Sequence, residues 1–188
     1  MTFTHTAAAL PWVVPVQSTA GQTKWEWRED ARVGYELSKA GHRLSNEMLR
    51  VTGLAPGLYE VKIDGQSIGR PISHVVLGAK IELQANEATP QYRQALQVAE
   101  LNRERNDLAV RPLRDLWGTI KGARRKFAQD PAGFAAFLQQ QQPEIDRLQQ
   151  LARDFEARIY AAAQPRPHTY EISRVAPAPS PARGKKKA

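Results

Sequence analysis

The 188-residue chain contains no cysteine, which excludes a disulfide scaffold, a thiolate metal site and a cysteine nucleophile. It also lacks an apolar run near the roughly 18 residues of a transmembrane helix. Residues 1–6 contain no Lys or Arg, and Pro11 and Pro15 interrupt the apolar segment that follows. A secretory signal needs a cationic start and an unbroken apolar segment. We therefore expect neither a membrane span nor a signal, and the sequence points to no compartment.

Patterns typical of metal and acid–base sites are missing as well. The four histidines, His5, His42, His74 and His168, lie far apart without metal-ligand spacing. Carboxylate pairs, such as Glu29 with Asp30 or Glu144 with Asp146, do not single out a site, because acid–base catalysis also needs a cleft. The sequence accordingly predicts no metal ligand, no cofactor-binding residue and no catalytic carboxylate.

One segment, Gly65-Gln66-Ser67-Ile68-Gly69, fits the G-x-S-x-G nucleophile pattern. In enzymes that use this motif, the serine lies at a sharp turn from a strand into a helix. Here Asp64-Gly65 is instead the dipeptide favoured in a two-residue hairpin turn, and no helix pattern follows Ser67. We therefore interpret the segment as a hairpin and assign no catalytic residue to it.

The positive charge is concentrated towards the C-terminus. The formal net charge is +8, and from Pro165 onwards six cations against Glu171 alone account for +5 of it. Residues 164–188 are also rich in Pro, Ala and Lys, a composition that buries too little apolar surface to offset the entropy of ordering. We predict a disordered basic tail over 164–188, with the disorder expected mainly beyond about Val175. Such a tail can solubilise the chain or add salt-sensitive attraction to nucleic acid.

The remaining sequence predicts an α+β fold in which a small antiparallel sheet, at about 47–83, precedes three or four helices at about 89–163. Short apolar runs separated by turn residues indicate the strands, one of them at Val75-Val76-Leu77. We divide the chain into an irregular or extended arm (1–30), a β-rich module (31–86), a helical region packed on it (87–163) and the tail (164–188).

Helix boundaries are marked by capping residues and prolines. Thr89-Pro90 and Asp130-Pro131 each place an N-cap residue before a proline in the first helical turn. Pro112 is predicted to break or kink the first helix, and Pro143 to open another turn after the glutamine run. From Ile145 to Ala162, apolar residues recur every three or four positions, which predicts a helix packed on its neighbours.

A basic stretch from Arg103 to Lys126 carries eight cations and three acids. Cations beside Trp117 could contact phosphates or stack with bases. A solvated helical face is the alternative, since Arg103 with Asp107 and Arg111 with Asp115 stand at i,i+4 spacing.

The order of three segments resembles a known family. These segments are LRVTGLAPGLY at 49–59, IDGQSIG at 63–69, and Thr89-Pro90-Gln91 with Gln94-Ala95. Together they resemble the C-terminal region of bacterial SGNH/GDSL-type hydrolases, in which a flavodoxin-like esterase domain is followed by a strand-turn-strand segment and by helices opening with Thr-Pro. The resemblance covers about 31–126.

The resemblance implies a role without catalysis. The chain contains no Gly-Asp-Ser motif, and none of its seven aspartates is followed by histidine three residues later. The family's nucleophile and its Asp-x-x-His pair therefore have no counterpart, and ester hydrolysis needs nucleophile, base and oxyanion donors together. We expect an accessory portion that packs on an SGNH/GDSL hydrolase domain, in cis or in trans. The alternative is a free-standing nucleic-acid-binding or protein-interaction module that uses 103–126 and the tail.

Overall fold

The structure, a computed structural model, describes residues 1–13, 33–34, 37–38 and 46–175. Its strands are β1 (Thr2–Thr6), β2 (Met48–Leu49), β3 (Leu58–Ile63), β4 (Gln66–Ser67), β5 (Ile72–Ser73), β6 (Ile81–Glu82) and β7 (Pro167–Arg174). Its helices are α1 (His74–Ala79), α2 (Pro90–Arg105), a π-helical segment (Asn106–Val110), α3 (Arg111–Lys126) and α4 (Pro131–Ala162). The predicted α+β class is confirmed.

The larger sheet is antiparallel in the order β1, β7, β3, β4, and β5 also pairs with β3. The strands β2 and β6 form a separate two-stranded ladder. Along β3 the side chains alternate, so that Tyr59, Val61 and Ile63 are buried while Glu60 and Lys62 form an ion pair at 3.4 Å on the outer face. Because the side chains alternate with a period of two, one face of the strand packs on the core while the other faces outwards, which stabilises the segment as a strand.

The predicted hairpin at Asp64-Gly65 is confirmed. Both residues have positive φ, 51° and 76°, which a two-residue type I′ turn requires. The turn places β3 against β4 with Lys62 opposite Ser67. Ser67 therefore lies on an exposed strand and not at an elbow leading into a helix.

The predicted strand at Val75-Val76-Leu77 is wrong, because these residues belong to α1. Ser73 caps this helix, since its side chain accepts a hydrogen bond from the amide of Val76 at 3.3 Å. Leu77 is fully buried, whereas Val75 and Val76 are exposed. One buried position per helical turn is enough to anchor so short a helix, and the cap outweighs the β preference of the two valines.

The predicted caps of the long helices are confirmed. Thr89 accepts a hydrogen bond from the Tyr92 amide at 3.3 Å, and Asp130 accepts one from the Gly133 amide at 2.9 Å. Each side chain satisfies an amide that the first turn leaves without a helical partner. Within the described ranges, no helix is both long and apolar enough to cross a membrane.

Helical structure continues from Pro90 to Lys126, and a π-helical segment interrupts the α-helical hydrogen bonding just before Pro112. The π-helical segment precedes it, so that Pro112 falls in the first turn of α3, where it need not donate a hydrogen bond. The wider turn changes the helical phase, and Leu108 is 55% exposed although it continues the apolar spacing of α2. The prediction for Pro143 is wrong, because α4 continues through it.

The predicted start of the tail at residue 164 is also wrong. Residues 167–174 form β7, the strand between β1 and β3, with His168, Tyr170 and Ile172 on its buried face. This period of two was present in the sequence, but the surrounding prolines and cations obscured it. The part of the predicted tail at 176–188 lies outside the described residues, as do 14–32. In the described part of the predicted arm, β1 is a regular strand that pairs with β7 from Thr2 opposite Glu171 to Thr6 opposite Pro167.

Candidate functional site

The densest group of polar contacts surrounds Asp64 at the turn between β3 and β4. Its Oδ1 accepts a hydrogen bond from the Thr169 amide at 2.8 Å, and its Oδ2 lies 2.7 Å from Nδ1 of His168. The Asp64 amide donates to the Thr169 carbonyl at 2.8 Å. Desolvation opposes ionisation of the carboxyl group, but the hydrogen bonds from Thr169 and His168 prevail and lower the pKa of Asp64. These contacts fasten the hairpin to β7.

His168 and Tyr170 point from β7 towards the first turn of α2. His168 is only 7% exposed, and its Nε2 is buried without a hydrogen-bond partner. The Tyr170 hydroxyl accepts a hydrogen bond from Nε2 of Gln91 at 2.6 Å. Burial, reinforced by the negative charge of Glu47, raises the pKa of Tyr170 to about 12. The tyrosine is therefore a neutral structural group at ordinary pH.

Glu47 and His5 complete this group, which we call the polar corner: His5, Glu47, Asp64, Gln91, His168 and Tyr170. Burial raises the pKa of Glu47, and His5 and His168 partly counteract it. One carboxyl oxygen of Glu47, Oε1, is buried without a hydrogen-bond partner. His5 stands opposite His168 in the β1–β7 ladder, with its ring edge towards Tyr170 at 6.2 Å between centroids. Three buried polar atoms in this corner thus lack hydrogen bonds: Oε1 of Glu47, Oε1 of Gln91 and Nε2 of His168.

A cavity of about 430 Å³ opens beside the polar corner. Its lining residues are Asp64, Pro90, Arg93, Gln94, Gln97, Arg166, Pro167 and His168. Gln94 is buried in the wall and donates from Nε2 to the carbonyl oxygens of Ala162 and Gln164, at 2.7 and 2.6 Å. The cavity therefore combines two arginines and one carboxylate, with Gln94 fixed in its wall by two hydrogen bonds.

The contact between Asp64 and His168 has the form of the acid and base of a catalytic triad. In such a triad, the second ring nitrogen of histidine accepts a proton from a nucleophilic hydroxyl group. Among the described residues no hydroxyl is bonded to Nε2 of His168, and Ser67 Oγ donates instead to the Gly69 carbonyl at 3.0 Å. With Nε2 buried, the described pair acts as a clamp on the hairpin.

Sequence reasoning missed this pair because the two residues are 104 positions apart. A search for aspartate with histidine three residues later tests only one local spacing. The available signal was the alternation of residues 167–174, which predicts a strand that can carry His168 into the sheet beside the Asp64 turn. The prolines around that strand mask its alternating pattern in the sequence.

The other candidate residues do not converge on this corner. Nδ1 of His74 accepts a hydrogen bond from the Gly57 amide at 3.3 Å. Glu144 is paired with Arg147 at 2.7 Å, and Asp146 accepts from Gln142. His42 and the Glu29–Asp30 pair lie outside the described residues. Across 1–13 and 46–175, no three His, Asp or Glu side chains are grouped so as to hold a metal ion.

The structure divides the basic stretch into two parts. In the first part, Arg105 pairs with Glu156 of α4, and Arg111 pairs with Asp107 at 3.0 Å. Asp115 contacts Arg114 at 3.3 Å, so the predicted partnership of Arg111 with Asp115 is wrong. Asp107 lies one π-helical turn before Arg111, which brings these two side chains together.

The second part of the stretch, at the end of α3, consists of cations without described acidic partners: Lys121, Arg124, Arg125 and Lys126. All four are exposed. Arg124, Arg125 and Lys126 lie in the last turn of α3, where the helix dipole favours positive charge without fixing a partner.

A larger groove, of about 920 Å³, runs between residues 8–13, α2 and the end of α4. Val13, Ala95, Val98, Ala99 and Ile159 make its surface mainly apolar. Asn102, Asn106 and the Arg111–Asp107 pair add polar groups along one side. Its size is within the range of pockets that bind small molecules.

Comparison with known proteins gives one informative match. No protein-family model matches the chain, and no curated protein matches it. Its fold is similar to that of a solved gut microbial diltiazem-metabolizing enzyme, with a TM-score of 0.67 and 25% sequence identity. The match covers 93% of this chain and 43% of that enzyme. The chain therefore spans less than half the length of the enzyme that it resembles.

Proposed function

We propose that this chain is the accessory, non-catalytic portion of an SGNH/GDSL-type ester hydrolase, acting beside a separate catalytic domain in cis or in trans. The observation that carries the proposal is the unequal coverage of the structural match: nearly all of this chain corresponds to 43% of an enzyme. More than half of that enzyme has no counterpart here, which leaves room for a catalytic domain outside the shared part. The choice of family depends on the segments at 49–59 and 63–69, which resemble the C-terminal region of SGNH/GDSL-type hydrolases.

The contacts around Asp64 support the same role. An isolated hydrolase would need a hydroxyl nucleophile on the free nitrogen of its histidine, and in the described residues Ser67 is bonded elsewhere. Asp64 and His168 fix the sheet, and the sheet in turn positions α2 and the 920 Å³ groove. A rigid body with an open, mainly apolar groove is suited to extend the substrate-binding surface of a partner domain.

The first experiment assays the purified chain alone on p-nitrophenyl acetate and on diltiazem. We expect no turnover above buffer, and Ser67→Ala and His168→Asn variants should not differ from the parent chain. Turnover that is lost in either variant would overturn the non-catalytic assignment, because it would make Ser67 or His168 part of an active site.

The second experiment adds the chain to an SGNH/GDSL catalytic domain that lacks its own C-terminal region. We expect the two to co-elute on size exclusion and KM for the ester to fall, because the groove adds contacts with substrate. Asn102→Trp, which narrows the groove from an exposed position, should reverse the change in KM. Gln140→Trp, at an exposed position of α4 away from the groove, is the matched control. Failure to associate would contradict the proposal.

Nucleic-acid binding is the second candidate function. The observation that favours it is the set of four exposed cations at the end of α3 without described acidic partners. Phosphate contacts by four cations would give a steep fall of affinity with salt, with a slope of roughly −3 in log–log form for single strands. A labelled oligo-dT titrated at several salt concentrations measures this slope, and a slope near zero removes the candidate.

A further inference from the structure

A small groove lies between the second half of α3 and the first turns of α4, apart from the polar corner and from the 920 Å³ groove. Its volume is about 310 Å³, and its lining residues are Trp117, Ile120, Lys121, Arg124, Phe134 and Leu138. We call it the tip groove. Its walls are apolar, and two cations stand on its rim.

The base of the tip groove is held by aromatic packing. Phe127 lies 6.4 Å from Phe134 and 6.0 Å from Phe137 between ring centroids. Ile120 is 5% exposed and joins the buried interior. These rings pack on one another, so the groove has a preformed floor, and Phe134 also lines it. Trp117 differs, since 47% of it is exposed at the mouth.

The charge around the tip groove is one-sided. Lys121 and Arg124 on the rim, and Arg125 and Lys126 beyond it, have no acidic side chain within ion-pair distance in the described part of the chain. The nearby acid, Asp130, is engaged as the N-cap of α4 through the Gly133 amide. Residues 117–138 thus carry four cations against one acid. A partner that fits must be negative around an apolar centre.

We propose that the tip groove binds an acidic amphipathic protein segment, whose apolar side chains enter between Ile120, Phe134 and Leu138 while its carboxylates pair with Lys121 and Arg124. This is the arrangement of a helix laid in a groove, with apolar anchors on one face and complementary charges beside them. The inference does not depend on the proposed function, because it requires neither an ester nor a hydrolase domain.

The shape of the groove favours a peptide over nucleic acid. Binding of single strands uses several exposed aromatic faces along a basic track. Here one ring, Trp117, is exposed, while Phe127 and Phe137 are used in packing. The concave apolar groove has few polar groups to contact a base, but it accommodates aliphatic side chains. The rim cations lie where carboxylates beside those aliphatic side chains would pair with them.

The test is fluorescence anisotropy with the full chain and a labelled helical peptide that carries leucines on one face and glutamates on the other. A peptide of the same composition, with its leucines scattered around the helix, is the probe control. We expect the amphipathic peptide to bind at least tenfold more tightly. Equal binding of both peptides, or no binding of either, would overturn the proposal.

Variants locate the contact. Trp117→Ala and the double variant Lys121→Glu/Arg124→Glu should each weaken peptide binding tenfold or more. Arg125→Glu changes charge on the same helix without lining the groove, and its effect should stay below threefold. All four substituted side chains are exposed, so far-UV circular dichroism of each variant should match that of the parent chain. Equal losses for Arg125→Glu and the double variant would indicate unspecific attraction and refute the groove.

Competition with oligo-dT distinguishes the other class of partner. We expect a large excess of oligo-dT to leave the peptide bound, because the apolar anchors supply affinity that phosphates cannot replace. Complete displacement by oligo-dT, together with a steep salt dependence, would assign this surface to nucleic acid and overturn the proposal.

Discussion

Replacement of Asp64 by alanine tests the clamp between the hairpin and β7. The variant loses two hydrogen bonds to a carboxylate, from Thr169 at 2.8 Å and His168 at 2.7 Å. Hydrogen bonds to charged groups contribute about 1.5–3 kcal/mol each. Since the Asp64 side chain is 45% exposed, the lower figure applies, giving roughly 3 kcal/mol for both. The change also places alanine at φ 51°, which costs about 1 kcal/mol more.

The measurement is urea unfolding followed by far-UV circular dichroism at about pH 7, where aspartate is ionised. We expect Asp64→Ala to lower the free energy of unfolding by about 4 kcal/mol. Asp64→Asn should lower it by roughly 1–2 kcal/mol, because asparagine tolerates the positive φ and keeps one acceptor oxygen. Asp115→Ala removes an exposed carboxylate paired only with Arg114 and should change it by less than about 0.5 kcal/mol. A loss below about 1 kcal/mol for Asp64→Ala would refute the clamp.

The same pair predicts a pH dependence. The pKa of Asp64 is lowered in the folded chain, so its ionised form is the one that folding stabilises. This contribution is complete above the pKa of an unfolded aspartate, about 3.9, and is lost as the pH falls through the lower folded value. The stability difference between the parent chain and Asp64→Asn should therefore shrink on acidification below about pH 4. A difference that stays constant would mean that the charge contributes nothing.

Three further substitutions, together with one surface control, test the interior. Leu148 is 1% exposed, and Leu148→Ala should lower the free energy of unfolding by about 2–5 kcal/mol. Tyr160 is 70% exposed, and Tyr160→Ala should change that free energy by no more than about 0.5 kcal/mol. Equal effects of the two variants in urea unfolding would contradict the packing of α4. Tyr170→Phe should cost about 1–3 kcal/mol by leaving Gln91 without its acceptor, and it should remove a tyrosine that titrates at about 12 from the ultraviolet absorbance titration. Thr89→Ala should cost about 1 kcal/mol through the lost cap, and thermal unfolding would detect it.

Local chemistry made much of the fold predictable. The turn at Asp64-Gly65 and the caps at Thr89 and Asp130 depend on contacts within three residues, so their residue types carry the information. The alternation in β3 likewise reflects a face that is covered along its whole length. The α1 helix was missed because its decisive features, a serine cap and one buried leucine, are weaker signals than two β-branched residues in sequence.

The candidate site was less predictable because its parts are distant in sequence. Asp64 and His168 meet only through the pairing of β3 with β7, and Gln91 reaches Tyr170 only because α2 covers that strand. The sequence carries no periodic pattern that shows which strands pair or which helix covers a given strand. Pro143 shows the opposite difficulty, since a proline tolerated within a long helix carries the same local signal as one that ends it.

The position of β7 has a consequence for the order of folding. This strand ends the described chain, yet it lies between β1 and β3 and joins residues 2–6 to residues 167–174. Contacts of such long sequence separation form late, because the intervening chain must first lose conformational entropy. During synthesis the helices can form from local contacts while β1 and β3 still await the strand between them. The larger sheet therefore cannot close until residues 167–174 have been synthesised, and an interrupted product ending before Pro167 would keep its helices without a closed sheet.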